Sequence, residues 1–314
     1  MYIRKLVKSG NSSLVVAVPK EWLERQRLKS GDQVYLDDIG EALTITVKLQ
    51  TEKKPGREIV INVDGKSIAT LKRQIRMAYI NDYTTIILKG QGIPKLSKFI
   101  KEQIMELVAL EAVDESSAHI VARNFLNIED VDLKLLLRRM DNIIRSMIID
   151  CKDIKNDELA ENIIARDKEV NKLSFVVFKI LKTAYLNKTL LATIGISELD
   201  ILRYYQTNLH LEKIGDRVKY IASLILKLPG ENRKSFIRLL TDIETYYKEA
   251  MKVWYHGSPD MAEGIAKEKE AVDVAINAFL EKATSPVNAQ LAIHIFEIAH
   301  NVNDITRSVS YLSE

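Results

Sequence analysis

The chain holds a single cysteine, Cys151, in 314 residues. That excludes an intrachain disulfide framework and a multi-cysteine zinc site, and it suits a reducing compartment. No apolar run reaches the ~20 residues that span a bilayer. The basic N-terminal stretch is not followed by the apolar segment of a signal peptide. A cytoplasmic protein without stable membrane insertion is therefore expected. Catalytic signatures are also missing: there is no Walker A loop, Gly-x-Gly-x-x-Gly, Gly-x-Ser-x-Gly or His-Glu-x-x-His. Five histidines and one cysteine leave few nucleophile–base pairs. Gly90-Gln91-Gly92 reads as a short turn before Pro94, not a phosphate cradle, and Cys151 as a helix-end or core thiol. The expectation is a protein that is not an enzyme. The formal net charge of +3 is too close to balance to name a partner.

What is present is ordered along the chain. At ~100–200 residues per domain, this length predicts two or three domains. Residues 1–50 read as strand-rich. Ser13 to Val18 is a short apolar run ended by Pro19, and Gln33 to Leu36 is a second strand. Ala42 to Val47 is a third, with Leu43, Ile45 and Val47 on one face. Lys20 to Leu28 is a short helix between them, followed by a turn at Ser30-Gly31-Asp32. The polar stretch from Thr51 to Gly56 reads as a linker.

Residues 57–126 alternate between types. Glu58 to Val63 is a strand pattern. Ser67 to Tyr79 has helical spacing through Ile68, Leu71, Ile75 and Tyr79, and Thr84 to Leu88 is a second strand. A helix is expected from Pro94 to about Ala112, then a third strand at His119 to Ala122. The expectation is a small βαβαβ-like unit. From Asn127, read as a helix N-cap, the chain turns helical. Glycine and proline end helices, because one exposes backbone and the other lacks an amide donor. Breaks near Lys155-Asn156, Asn187 to Ser197, Pro229-Gly230, Gly257-Ser258-Pro259 and Ser285-Pro286 give six long helices. Ser197 with Asp200 looks like a capping pair.

The helices carry a weak echo. Ala165-Arg166-Asp167-Lys168-Glu169-Val170 is followed about a hundred residues later by Ala266-Lys267-Glu268-Lys269-Glu270-Ala271. The third helix of each set holds Glu212-Lys213-Ile214-Gly215-Asp216 and His300-Asn301-Val302-Asn303-Asp304. Two three-helix repeats, 127–228 and 231–314, are the economical reading. Glu212 and Asp216 stand at i and i+4 on one face, where like charges repel by a few tenths of a kcal/mol. A cation between them would relieve the conflict. Asp167 and Asn171 have the same spacing one helix earlier, so antiparallel packing could bring the two pairs together. The plainer alternative is that Lys213 and Arg217 offset these acids in a solvated network.

Two resemblances follow. Lys5-Leu6-Val7-Lys8-Ser9-Gly10-Asn11-Ser12-Ser13-Leu14, then Pro19-Lys20, then Leu28-Lys29-Ser30-Gly31-Asp32-Gln33-Val34 resembles the SpoVT/AbrB/MazE family over the first fifty residues. The resemblance implies a swapped-hairpin barrel formed by a homodimer, bound to promoter DNA. Arg4, Lys5, Lys8 and Lys20 precede the first acid, Glu21. They would contact phosphates, while Asn11, Ser12 and Ser13 would add neutral hydrogen bonds. The alternative is that these charges only solvate a dimerisation module.

The segment Leu211-Glu212-Lys213-Ile214-Gly215-Asp216-Arg217-Val218, with Ile221-Ala222 after it, resembles the third-helix motif of the PhoU family of phosphate-uptake regulators. Asp167 to Leu173 resembles its second-helix motif. This resemblance implies an iron or zinc cluster on Asp167, Asn171, Glu212 and Asp216. In the second repeat His300 stands where the first acid belongs, with Asp304 kept, and imidazole suits both metals. Glu268, Glu270 and Asp273 all lie near the second-helix position. The layout resembles the archaeal type of PhoU-like regulator that fuses both modules. The expected fold is mainly α, with an N-terminal β-rich domain, a small α/β middle segment and two PhoU-like three-helix repeats. The expected function is negative regulation of phosphate uptake genes. The alternative is an adaptor that acts on a phosphate transporter or sensor kinase through protein contacts, without DNA.

Overall fold

The computed structural model describes residues 2–10, 13–38, 43–47, 56–282 and 285–312. The chain divides into two compact units, Met1–Pro55 and Gly56–Glu314.

In the first unit β1 (Val7–Ser9) and β2 (Ser13–Val15) form an antiparallel hairpin with Lys8 opposite Leu14. Gly10 sits in its turn at φ 72°, a backbone region that glycine enters without steric cost. The strand expected over residues 13–18 ends at Val15, ahead of Pro19, which cannot donate to a ladder. Helix α1 (Lys20–Gln26) follows Pro19 and closes on Arg27 in the left-handed region. The expected turn forms, with the Lys29 amide donating to the Asp32 carboxylate at 2.6 Å. β3 (Tyr35–Asp38) and β4 (Leu43–Thr46) make a second antiparallel hairpin with Leu36 opposite Ile45. No described residue of this unit is buried.

The second unit opens with an α/β segment. β5 (Glu58–Asn62), α2 (Ile68–Ile80), β6 (Thr85–Lys89), α3 (Ile93–Met105), β7 (Leu110–Glu115) and β8 (His119–Asn124) follow in order. The sheet runs β5-β6-β8-β7. β5 and β6 are parallel across α2, as a helical crossover requires. β8 is antiparallel to β6 and pairs in a hairpin with β7, so the expected βαβαβ order is corrected. The helix expected from Pro94 to Ala112 stops at Met105. Ala109 adopts φ 57°, which breaks the turn and starts β7. Most of β7 is exposed and a bulge interrupts it between Ala112 and Asp114, so its sequence shows no clean alternation. Ile61, Leu71, Ile75, Tyr79, Ile86, Leu88 and Ile120 form the core between sheet and helices.

Six long helices follow: α4 (Leu133–Cys151), α5 (Asp157–Leu186), then after a short α6 (Lys188–Thr193), α7 (Glu198–Leu224), α8 (Gly230–His256), α9 (Pro259–Glu281) and α10 (Pro286–Tyr311). Their starts are written in side chains that accept a free amide of the first turn. Asn156 accepts from Leu159, Ser258 from Met261 and Ser285 from Asn288, while Ser197 and Asp200 cap each other reciprocally. Asn127 does not cap α4. It precedes a single 3-10 turn, Ile128–Asp130, and Asp132 caps the helix instead. α4, α5 and α7 pack on one another, as α8, α9 and α10 do, and α7 lies against α10. One core runs through both sets, with Leu211, Ile214, Val218 and Ile221 of α7 and Ile295, Ile298, Val302 and Ile305 of α10 at its centre.

The sheet segment docks on the bundle through α5. Lys179 is fully buried, its ammonium 3.0 Å from Asp82 and 4.5 Å from the ring centre of Tyr79. Arg76 lies over Phe175 at 4.8 Å, and Lys182 donates to Asn81.

Candidate functional site: the acidic seam between α5 and α7

α7 packs against α5 at Gly215. A Cβ there would stand 3.4 Å from Val170 and 3.6 Å from Asp167 Oδ1. This approach brings Asp167 together with the Glu212 and Asp216 face of α7. Asp167 is 3% exposed. Its Oδ2 accepts from Asn171 Nδ2 at 3.0 Å and from Lys219 Nζ at 2.7 Å. Lys219 also donates to Asp216, one turn back on its own helix. Three carboxylates and one ammonium thus face each other between two helices.

The electrostatics follow from burial and like charge. Burial raises the Glu212 carboxyl above its ordinary range, and Asp216 and Asp167 push it further. Burial also raises Asp167, against the lowering effect of Lys219. Burial opposes the charge on Lys219, but its bonds to Asp167 and Asp216 outweigh that and hold its pKa high.

Lys219 is the residue that sequence reading missed. Its signal was the i, i+3 spacing from Asp216, which Lys213 matches on the other side of that acid. Lys213 is exposed. Arg217 reaches away to Glu297 of α10 at 2.7 Å. Near it His210 bonds Asn301 at 2.8 Å and Tyr220 stacks on His294 at 5.3 Å, so a polar strip joins α7 to α10.

The second repeat differs. His300 is more than half exposed and stands 3.5 Å from Asp304, which also faces Arg307 at 3.9 Å. On α9 the inward-facing stripe runs Ala262, Ile265, Lys269, Val272, matching Ala160, Ile163, Asp167, Val170 on α5. This register sets Lys269 in the place of Asp167 and Asp273 in the place of Asn171. Lys269 binds Asp273 at 2.5 Å. Glu268, Asp273 and Asp304 lie near enough to Tyr246 to add to the raising of its hydroxyl by burial, while Glu270 is exposed.

As a metal site the α5–α7 seam does not fit as built. Zinc ligands stand ~2 Å from the ion with their oxygens free to bind. Here an ammonium lies between Asp167 and Asp216. Among the described residues no group of three or more His, Cys, Asp or Glu side chains is placed to hold a metal ion.

The remaining candidates lie elsewhere. Arg4, Lys5 and Lys8 are exposed in the first unit, and Ser13 pairs with Ser9 beside the hairpin turn. Lys20 is exposed and stands 3.6 Å from Glu24, which offsets part of its charge. Asn11 and Ser12 lie outside the described residues. The Gly90-Gln91-Gly92 turn holds a carboxylate of its own chain: Asp64 accepts from the amides of Gln91 at 3.0 Å and Gly92 at 2.8 Å. Cys151 ends α4 inside the core, where burial pushes its thiol up to about 12.

The six long helices form two packed sets of three, with a charged seam in the first. Residues 137–225 match the PhoU domain family, from within α4 to the end of α7. No curated protein and no solved structure matches the chain. The chain is PhoU-like over that span, and the domain points to regulation of phosphate homeostasis. No described helix is long and apolar enough to cross a membrane.

Proposed function

We propose that this chain is a homodimeric DNA-binding regulator of phosphate uptake, with no catalytic step of its own. The observation that carries the reading is the first unit's surface. Ile3, Leu6, Leu14, Leu36 and Leu43 are each more than half exposed, and Arg4, Lys5 and Lys8 stand on the same short stretch. Apolar hairpins without a core call for a second copy to cover them. A swapped-hairpin barrel does this and doubles the cations across a two-fold axis. The helical region then serves as the sensing part, biasing the dimer between states that differ in DNA affinity.

An adaptor acting on a phosphate transporter or sensor kinase would use the same PhoU-like bundle without the cations. The two readings part on one experiment. DNA occupancy is mapped across the genome in phosphate-rich and phosphate-poor cells, for the wild type and for Arg4→Glu/Lys5→Glu/Lys8→Glu. The regulator occupies discrete promoters in a phosphate-dependent way, and the charge-reversed protein loses them. In vitro, six cations neutralising phosphates give a slope of about −5 in log affinity against log salt. Wild-type binding no better than that of a generic basic protein, with partner binding intact in the variant, overturns the regulator and favours the adaptor.

A further inference from the structure

We infer that a lysine ammonium, and not a metal ion, closes the acidic seam of this chain: Lys219 in the first repeat, and in the second Lys269, which stands in the place of Asp167. Four observations converge. Lys219 bonds both Asp167 and Asp216, so the charge conflict on α7 is relieved by a cation carried on the same helix. One Asp167 oxygen is already held by the chain's own donors. Its Oδ2 is shared by Lys219 and Asn171, while its Oδ1 is buried beside Gly215 without a hydrogen-bond partner, sealed from solvent where α5 packs on α7. The second repeat arrives at a similar result by a different route. There the inward position held by Asp167 is itself a lysine, which pairs with Asp273 and lies 5.6 Å from the ring centre of Phe296. His300, the remaining imidazole beside Asp304, is mostly exposed, and the acids nearest it on α10 already face arginines, Asp304 facing Arg307 and Glu297 facing Arg217.

The consequence is chemical. Metal binding requires deprotonated ligands and responds to pH, chelators and metal supply. A tethered ammonium is always present and cannot be chelated. The seam of this chain is then a permanent ion-pair cluster, and any signal it passes must act on helix packing and not on metal occupancy.

The test uses the full chain, purified without an affinity tag. It is incubated anaerobically with Zn(II), Mn(II) or Fe(II), desalted, and assayed for metal by plasma mass spectrometry. Its melting temperature is measured with and without EDTA. The expected result is substoichiometric metal and an unchanged melting temperature. Stoichiometric metal that disappears in Asp167→Asn/Glu212→Gln/Asp216→Asn would overturn the inference. Lys219→Gln keeps a hydrogen-bond donor but drops the charge. It is expected to melt lower than the wild type and to recover with Mn(II), while the wild type does not respond. A Lys219→Gln protein that melts like the wild type in EDTA also overturns it. Should that variant fail to fold, the wild-type metal content and EDTA response decide.

Discussion

Glu212 is ionised at a cost. Burial and two neighbouring carboxylates raise its pKa in the folded chain. The folded state therefore holds the Glu212 proton more tightly than the unfolded chain. Ionisation removes stability as pH rises from the ordinary carboxylate range through the raised folded value, and the full penalty is present above it. Glu212→Gln lifts this penalty. The variant is expected to melt higher than the wild type at neutral pH, by about 2 °C once screening by solvent is allowed for. The gain should vanish on acidification below the ordinary carboxylate range, where Glu212 is neutral in both states. Calorimetry across that pH range checks it, and a variant that melts lower at neutral pH would show that the charge is needed. The four acids and amides of the seam were legible from i, i+4 spacing alone. Their cation was not. Lys213 and Lys219 both lie three residues from Asp216 on a bare helix, and only the packing of α7 on α5 sets Lys219 against Asp167 and leaves Lys213 exposed.

At the scale of elements, helix α5 does two jobs. Its first half presents Asp167 to α7, and its second half presents Phe175, Lys179 and Lys182 to the sheet segment. A fully buried lysine is costly to desolvate, and its pKa is lowered by burial against the pull of Asp82. Removing the side chain leaves a cavity and an unpaired acid. Lys179→Ala is expected to destabilise the second unit by about 2–3 kcal/mol. Lys179→Met fills the volume without a charge to desolvate and is expected to cost less than about 1 kcal/mol. Denaturant titration of both variants checks the order; equal losses would mean that the ion pair, not the packing, secures the joint. Most elements here were readable because caps and apolar periodicity are local. Strand β7 was not: Leu107 and Leu110 continue a helical spacing past the true helix end, and the left-handed turn at Ala109 has no residue signature.

For the whole molecule, the first unit poses a question of burial. Its described residues include none that is buried, while Leu14 and Leu36 are each about 60% exposed. Fully covering a leucine contributes ~1.5–3 kcal/mol, so a second copy has much to gain here. The chain is expected to sediment as a dimer, with a melting transition that rises with protein concentration. Leu14→Asp/Leu36→Asp is expected to yield a monomer whose helical signal is unchanged. A wild-type monomer at micromolar concentration would remove the dimer reading.

The sequence by itself determined the β-rich start, most of the α/β segment, the six long helices and the acids Asp167, Glu212 and Asp216. These depend on caps, breakers and spacings that act within a few residues. Only the tertiary structure decided which cation meets those acids, that Asp64 fills the turn at Gly90-Gln91-Gly92, and that Lys179 is buried beneath the sheet segment. Each of those is a contact between residues distant in sequence or a choice among equivalent neighbours, and such choices are made when helices and strands pack.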